Sequence, residues 1–348
     1  MTSQDSKEPS TANWKGIVAQ FRKPDAGRAS WQLVNTLVPY FAIWILMYFA
    51  ASVSLWLTVP FAVVAGGLLV RTFIIFHDCT HGSFFRSSRA NAFWGMFTGW
   101  ISFTPYHHWK WEHSVHHATN GHLERRGVGD IWTMTVEEYL ESSRWKRISY
   151  RLARNPLVLF VIAPLFLFLI HHRFPQPGAK GRARNSVWIT NLVLLGVGIG
   201  MSFAFGFLPW VIIQLIVLAV AGTVGVWLFY VQHQFEDTYW EHGDEWSHFD
   251  AAMKGSSFYE LPKVLQWFSG NIGFHHIHHL DSRIPNYNLE RCYRSDPMFR
   301  DVTSLTLWAS LKTMSYRLWD EGSKKLISFG QFREKLRQMN ASGQPSPA

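Results

Sequence analysis

The sequence predicts an all-α integral-membrane protein, with four transmembrane helices paired as two hairpins and a cytosolic helical cap that holds a metal site. Three observations predict it. Two long stretches, Ala29 to Val70 and Asn185 to Phe235, contain no Asp, Glu, Lys or Arg. Basic residues crowd the flanks of the apolar runs, and histidines gather just beyond the ends of those runs. A helix needs about 20 apolar residues to cross a bilayer core, so runs of 42 and 51 residues each hold two crossings and a tight turn.

The first hairpin is expected over residues 33–51 and 55–76, joined by the uncharged Ser52, Val53 and Ser54. Arg71, near the inner end of the second crossing, is expected to snorkel toward the headgroups. The second hairpin is expected over 187–205 and 208–230, with Gly206, Phe207 and Pro209 marking its turn. Residues 157–170 are apolar but too short to span comfortably, with Pro164 in the middle. Arg144, Lys146, Arg147, Arg151 and Arg154 precede that stretch, and Arg173, Lys180, Arg182 and Arg184 follow it. Both flanks are therefore expected to be cytosolic, so the stretch lies along the interface or re-enters without crossing. Residues 92–103 are also read as interfacial. The expected domain runs from 29 to 330. Residues 1–28 read as a cytosolic polar tail rather than a secretory signal. Residues 331–348 read as a C-terminal tail, disordered after Ser342.

Composition narrows the function. Only 16% of the 348 residues are charged and 48% are hydrophobic, whereas a soluble domain is about one quarter charged. The net charge of +9 sits beside apolar runs, where it sets topology, and no nucleic-acid partner is expected. Two distant cysteines, Cys79 and Cys292, form no disulfide framework. As free thiols they suit a reducing cytosolic face.

Seventeen histidines occur, and their spacing carries the chemistry. His77 and His81 form an i, i+4 pair in HDCTH. His113, His116 and His117 sit in HSVHH, and His275, His278 and His279 in HHIHH, each set at i, i+3, i+4. Such spacing puts side chains on one helix face. His233 stands alone in VQHQFED after the last crossing. An even number of crossings separates the first two sets from the last, so all reach one side of the membrane. Imidazole suits iron, copper, zinc and nickel alike. The number of histidines exceeds the four ligands of one tetrahedral zinc and suits two metal ions with open positions, as oxygen activation requires. The remaining histidines read as bystanders. His107 and His108 are expected to pack at the interface, His171 and His172 to meet headgroups, and His122, His242 and His248 to lie at the surface, with His276 a spacer. Asp78, Glu236, Asp237 and Asp130 are candidates to hold imidazole N–H groups. No catalytic residue beyond the metal ligands is expected.

These motifs resemble those of the membrane fatty acid desaturases, and more specifically bacterial members of the acyl-lipid branch, either omega-6 (Δ12-like) or Δ5-like. The resemblance extends over HDCTHGSFF, PYHHWKWEHSVHHATNG, FYVQHQFEDTYW, GSSFYELPKVLQWFSGNIGFHHIHHL and RIPNYNLE, about residues 30 to 325. HxxxH in the first box sets the chain apart from acyl-CoA desaturases, and HxxHH in the second sets it apart from alkane hydroxylases. His275 opening the third box, with no HPGG haem motif, sets it apart from front-end desaturases. The resemblance implies two non-haem iron ions held by the box histidines and His233, the position of an isolated histidine that the family carries after its last crossing. It also implies dioxygen as co-substrate, acyl chains of membrane lipids as substrate, and a separate electron donor, for which ferredoxin fits the basic face. It places the chain in a bacterial cytoplasmic membrane with both termini and the metal site cytosolic. A hydroxylase, ketolase or acetylenase on the same boxes is the alternative reading. A transporter would instead place ligands near the bilayer midplane.

Overall fold

The computed structural model describes residues 13–341. Four helices among them are long and apolar enough to cross a membrane: Ala26–Val53, Thr58–His81 (entered through a short 3₁₀ turn, Leu55–Leu57), Arg182–Phe205 and Phe207–His233. They are referred to as the first to fourth spanning helices, and the chain is a multi-pass membrane protein.

Each helix begins and ends for a local reason. Asp25 caps the first, its Oδ1 accepting the Arg28 N–H at 2.9 Å. The second stops at Gly82, whose φ of +71° is left-handed. The third and fourth are separated by Gly206 alone, at φ +81°. A one-residue reversal of this kind needs the conformational range of glycine. All four helices are longer than the apolar runs suggest, because polar ends continue the helix past the hydrocarbon. His77 and His81 consequently lie in the last two turns of the second helix, and His233 is the last residue of the fourth.

The second spanning helix is the centre of the bundle. It packs on the first and fourth through Tyr40, Trp44, Ala65, Leu68, Ile213 and Val217. The first helix leaves Val34, Val38, Phe41, Ile45 and Phe49 exposed at helical spacing, an outward stripe suited to lipid. Two shorter helices, Ser88–Ile101 and Tyr106–Thr119, follow the second spanning helix. The basic amphipathic helix Arg144–Ala153 is bent by 65° against Val158–Arg173. The latter segment packs on the fourth helix through Phe160, which meets Trp227 and Tyr230.

The remaining segments build a cap. His275–Leu280 is a short, wholly buried helix, followed by Asn286–Ser295. Two small sheets also occur. Met134–Thr135 pairs parallel with Tyr316–Asp320, which pairs antiparallel with Lys325–Ser328. Phe258–Glu260 pairs parallel with Ser304–Thr306. The sequence did not announce these strands, which are only two to five residues long.

Several expectations are corrected. Arg71 does not snorkel: it is buried, bonds to Thr36 Oγ1 at 3.0 Å and to the Trp267 carbonyl, and lies over the Trp267 ring. Residues 14–28 do not behave as a separate tail. Val18 is buried against Ile277 and Leu280, and Arg22 pairs with Asp281. Residues 331–341 belong to the helix Phe329–Ala341, whose Phe332 packs on Tyr139. The expected disorder after Ser342 lies outside the described residues.

Candidate metal centre

Nine imidazoles converge at the junction of bundle and cap. The second spanning helix brings His77 and His81, Tyr106–Thr119 brings His113, His116 and His117, the fourth spanning helix brings His233, and the buried cap helix brings His275, His278 and His279. Ring nitrogens of His77, His81, His113, His117 and His278 all lie within 4.8 Å of one another, and so do those of His116, His233 and His279. His275 joins the second group, its Nε2 lying 2.9 Å from His233 Nε2 and 3.1 Å from His279 Nε2. The two groups touch through His117 and His279, whose rings stack at 4.3 Å.

The outward nitrogens fix how three of these rings point. His116 Nδ1 lies 2.6 Å from Asp130 Oδ1, His233 Nδ1 lies 3.0 Å from the Gly255 carbonyl, and His77 Nδ1 lies 3.2 Å from Asp78 Oδ1. An acceptor at Nδ1 places the proton there and turns the Nε2 lone pair inward. Asp78 is itself held by the backbone and side-chain N–H groups of Asn286, at 2.6 and 2.8 Å. Trp109 stacks on His113 at 4.2 Å and closes that flank.

This donor set fits metal cations. Burial, reinforced by neighbouring imidazoles, holds His113, His117, His275, His278 and His279 well below the ordinary imidazole range, so these rings are neutral, the form that can bind a metal. Nε2 of His81 and of His116 are buried without a hydrogen-bond partner, a costly state for a polar atom that a cation relieves. The inward contacts are 3.1 Å for His113–His117, 3.0 Å for His117–His278, 2.9 Å for His233–His275 and 3.1 Å for His275–His279. With metal–imidazole bonds of about 2.1 Å, ligands at a right angle stand about 3.0 Å apart and tetrahedral ligands about 3.4 Å apart. Nitrogens at these separations are close enough to share a cation within each group.

Other candidates fall outside the centre. Glu236 pairs with Lys312 and Tyr316, and Asp237 with Lys325 at 2.9 Å, so neither holds an imidazole. Both follow the end of the fourth helix, where the chain turns toward the basic surface. His276 faces away from the cluster, its Nε2 3.0 Å from the Phe299 carbonyl. His108, His122 and His172, expected at the interface or surface, are buried. His108 accepts the Gln176 N–H at 3.0 Å, and His122 pairs with Glu124 at 3.0 Å. His242 lies at the surface between Glu124 and Glu321. Sequence reasoning passed over Trp109 and Asn286. The i, i+4 spacing of Trp109 and His113 was an available signal, whereas Asn286 is joined to Asp78 only by the tertiary fold.

A cavity of about 390 Å³ opens beside His77, His113 and His275. It runs between the second and fourth spanning helices, and its walls are chiefly apolar, with Leu69, Phe73, Phe168, Leu218 and Phe229 among them.

Fold and site together define a membrane protein with a polyhistidine cluster that could hold metal ions and an apolar chamber beside it. Comparison with known proteins makes the class specific. The model of the fatty acid desaturase family matches residues 54–302. A fatty acid desaturase of Bacillus subtilis (strain 168) is 45% identical over 312 residues, 90% of this chain and 89% of that protein. The sn-1 acyl-lipid omega-3 desaturase (ferredoxin) of Synechocystis is 27% identical, over 70% of this chain and 68% of its own length. The sn-1 oleoyl-lipid 12-desaturase of Picosynechococcus is 26% identical, over 71% and 72%. The chain belongs to the fatty acid desaturase family, and is an oxidoreductase of that kind.

Proposed function

We propose that this desaturase acts on acyl chains esterified in membrane lipids, with two iron ions held by the nine clustered histidines. The observation that carries the reading is the continuity of the apolar cavity with the imidazole cluster. His77, His113 and His275 belong to both, so a hydrocarbon chain in the cavity lies against the centre. His77, His81, His113, His117 and His278 would hold one ion, and His116, His233, His275 and His279 the other. Bound iron would supply, with dioxygen and two electrons, the oxidising power needed to take hydrogen from unactivated methylenes. The balance is one CH₂–CH₂ unit, O₂, two electrons and two protons giving CH=CH and two waters.

The chain's own residues hold, orient and exclude. Asp130, Asp78 and the Gly255 carbonyl keep three imidazoles in the ligand tautomer. Phe73, Phe168 and Phe229 give the acyl chain a dry wall. The boxes leave the second and fourth spanning helices on the same side, which we read as the cytosolic side of a bacterial cytoplasmic membrane because the basic flanks lie there. A separate reductant supplies the electrons, and two of the relatives are named for ferredoxin. A small acidic ferredoxin suits a chain of net charge +9.

The test is expression in a host whose lipids are saturated and monounsaturated, followed by mass-spectrometric location of new double bonds. New olefinic lipid acyl chains are expected, with acyl-CoA a poor substrate for the purified protein. Hydroxylated chains as the main product overturn the reading.

A further inference from the structure

The fourth spanning helix contributes one continuous face to the cavity: Leu218, Ala221, Gly222, Gly225, Phe229 and Gln232. Two glycines one turn apart on this face differ in what a side chain would meet. A Cβ on Gly222 would stand 2.7 Å from the Pro164 Cβ, so this glycine is required for the 157–170 segment to pack. A Cβ on Gly225 meets nothing within 4 Å. Neither backbone conformation nor packing calls for glycine there, and an interior helical glycine is less favourable than alanine. What the missing side chain leaves is cavity.

Gly225 lies midway along this face. It lies eight residues before His233, about 12 Å along the helix. Phe229 and Gln232, with His275, lie toward the centre; Gly222, Ala221 and Leu218 lie toward the far end. We infer that Gly225 is a specificity-determining residue, whose open flank lets an acyl chain extend from the metal centre into the far half of the cavity. This rests on the acyl-chain reading above. A branched side chain at 225 would narrow the passage and limit how much chain can lie beyond the oxidised carbons.

The experiment compares the wild type with Gly225→Ala, Gly225→Val and Gly225→Leu, and with Gly200→Leu as a control. Gly200 lies on the exposed face of the third helix, also with nothing within 4 Å of its Cβ. Each is expressed in a host supplied with saturated acyl chains of graded length. Membrane abundance, bound metal and the chain-length distribution of new double bonds are measured. In Gly225→Leu the ratio of long-chain to short-chain product is expected to fall at least 10-fold at wild-type metal content, and Gly225→Val to fall between it and the wild type. Gly225→Ala and Gly200→Leu are expected to keep the wild-type ratio. If the leucine variant fails to accumulate, the valine variant decides. An unchanged ratio in a normally abundant, metal-loaded valine or leucine variant overturns the role of Gly225 alone. A wild type that forms no new double bond overturns the acyl-chain reading, and this inference with it.

Discussion

Asp130 lies 2.6 Å from the Nδ1 of His116 through one carboxylate oxygen and accepts the Gly127 N–H at 3.2 Å through the other. The second contact ties the carboxylate to its own loop, so the loop sets the ring. Removing such a partner typically costs 10- to 100-fold in metal affinity or activity.

Asp130→Ala is accordingly expected to lower metal content and desaturation by about 10- to 100-fold, with Asp130→Asn retaining more of both. Metal analysis and product assay at equal membrane abundance check this. Wild-type metal binding in Asp130→Ala would remove Asp130 from the centre.

His233 and His276 make a contrasting pair. His233 Nε2 faces His275 Nε2 at 2.9 Å, whereas His276 points at the Phe299 carbonyl and is pushed down to about 3 by burial. His233→Ala is expected to abolish desaturation and lower bound metal. His276→Asn, which keeps a donor for that carbonyl, is expected to retain both. Wild-type activity and metal content in His233→Ala would place His233 outside the ligand set.

Removal of metal is expected to cost stability as well as activity. A ligand bound only by the folded state stabilises it by mass action, and loss of cations leaves facing lone pairs about the cluster. Chelation should lower the thermal midpoint of the detergent-solubilised protein, and ferrous iron should restore both midpoint and activity. An unchanged midpoint after verified metal loss would show that the cluster is stable when empty.

Topology is tested on the bent segment. Lys146 and Lys180 are exposed on either side of it. Cysteines placed at these two positions are expected to react with a membrane-impermeant reagent from the cytosolic side only. The native Cys79 and Cys292 are buried and give little background. Labelling from opposite sides would mean that Val158–Arg173 completes a fifth crossing.

Much of this organisation was legible in the sequence because its causes are local. An uncharged run long enough to span is visible without a fold, and i, i+3, i+4 histidines declare a shared helix face. The same logic failed where the cause was tertiary. Arg71 resembles any cation near a helix end, and only the approach of Trp267 and Thr36 makes it a buried one. Glu236 and Asp237 adjoin His233 in sequence, but the chain turns after the helix and carries them to Lys312 and Lys325. Asp130 is 14 residues from His116, with only a loop geometry to join them.

The bond between Asp78 and Asn286 spans 208 residues and has a consequence for biogenesis. At about 5–20 residues per second, a ribosome needs about 10–40 s to add the intervening chain. During that interval both hairpins can enter the bilayer while Asp78 waits for its donors and six of the clustered histidines wait for the last three. A centre that needs all nine imidazoles can therefore be completed only after both hairpins are made, and a chain truncated before residue 275 would lack three of them.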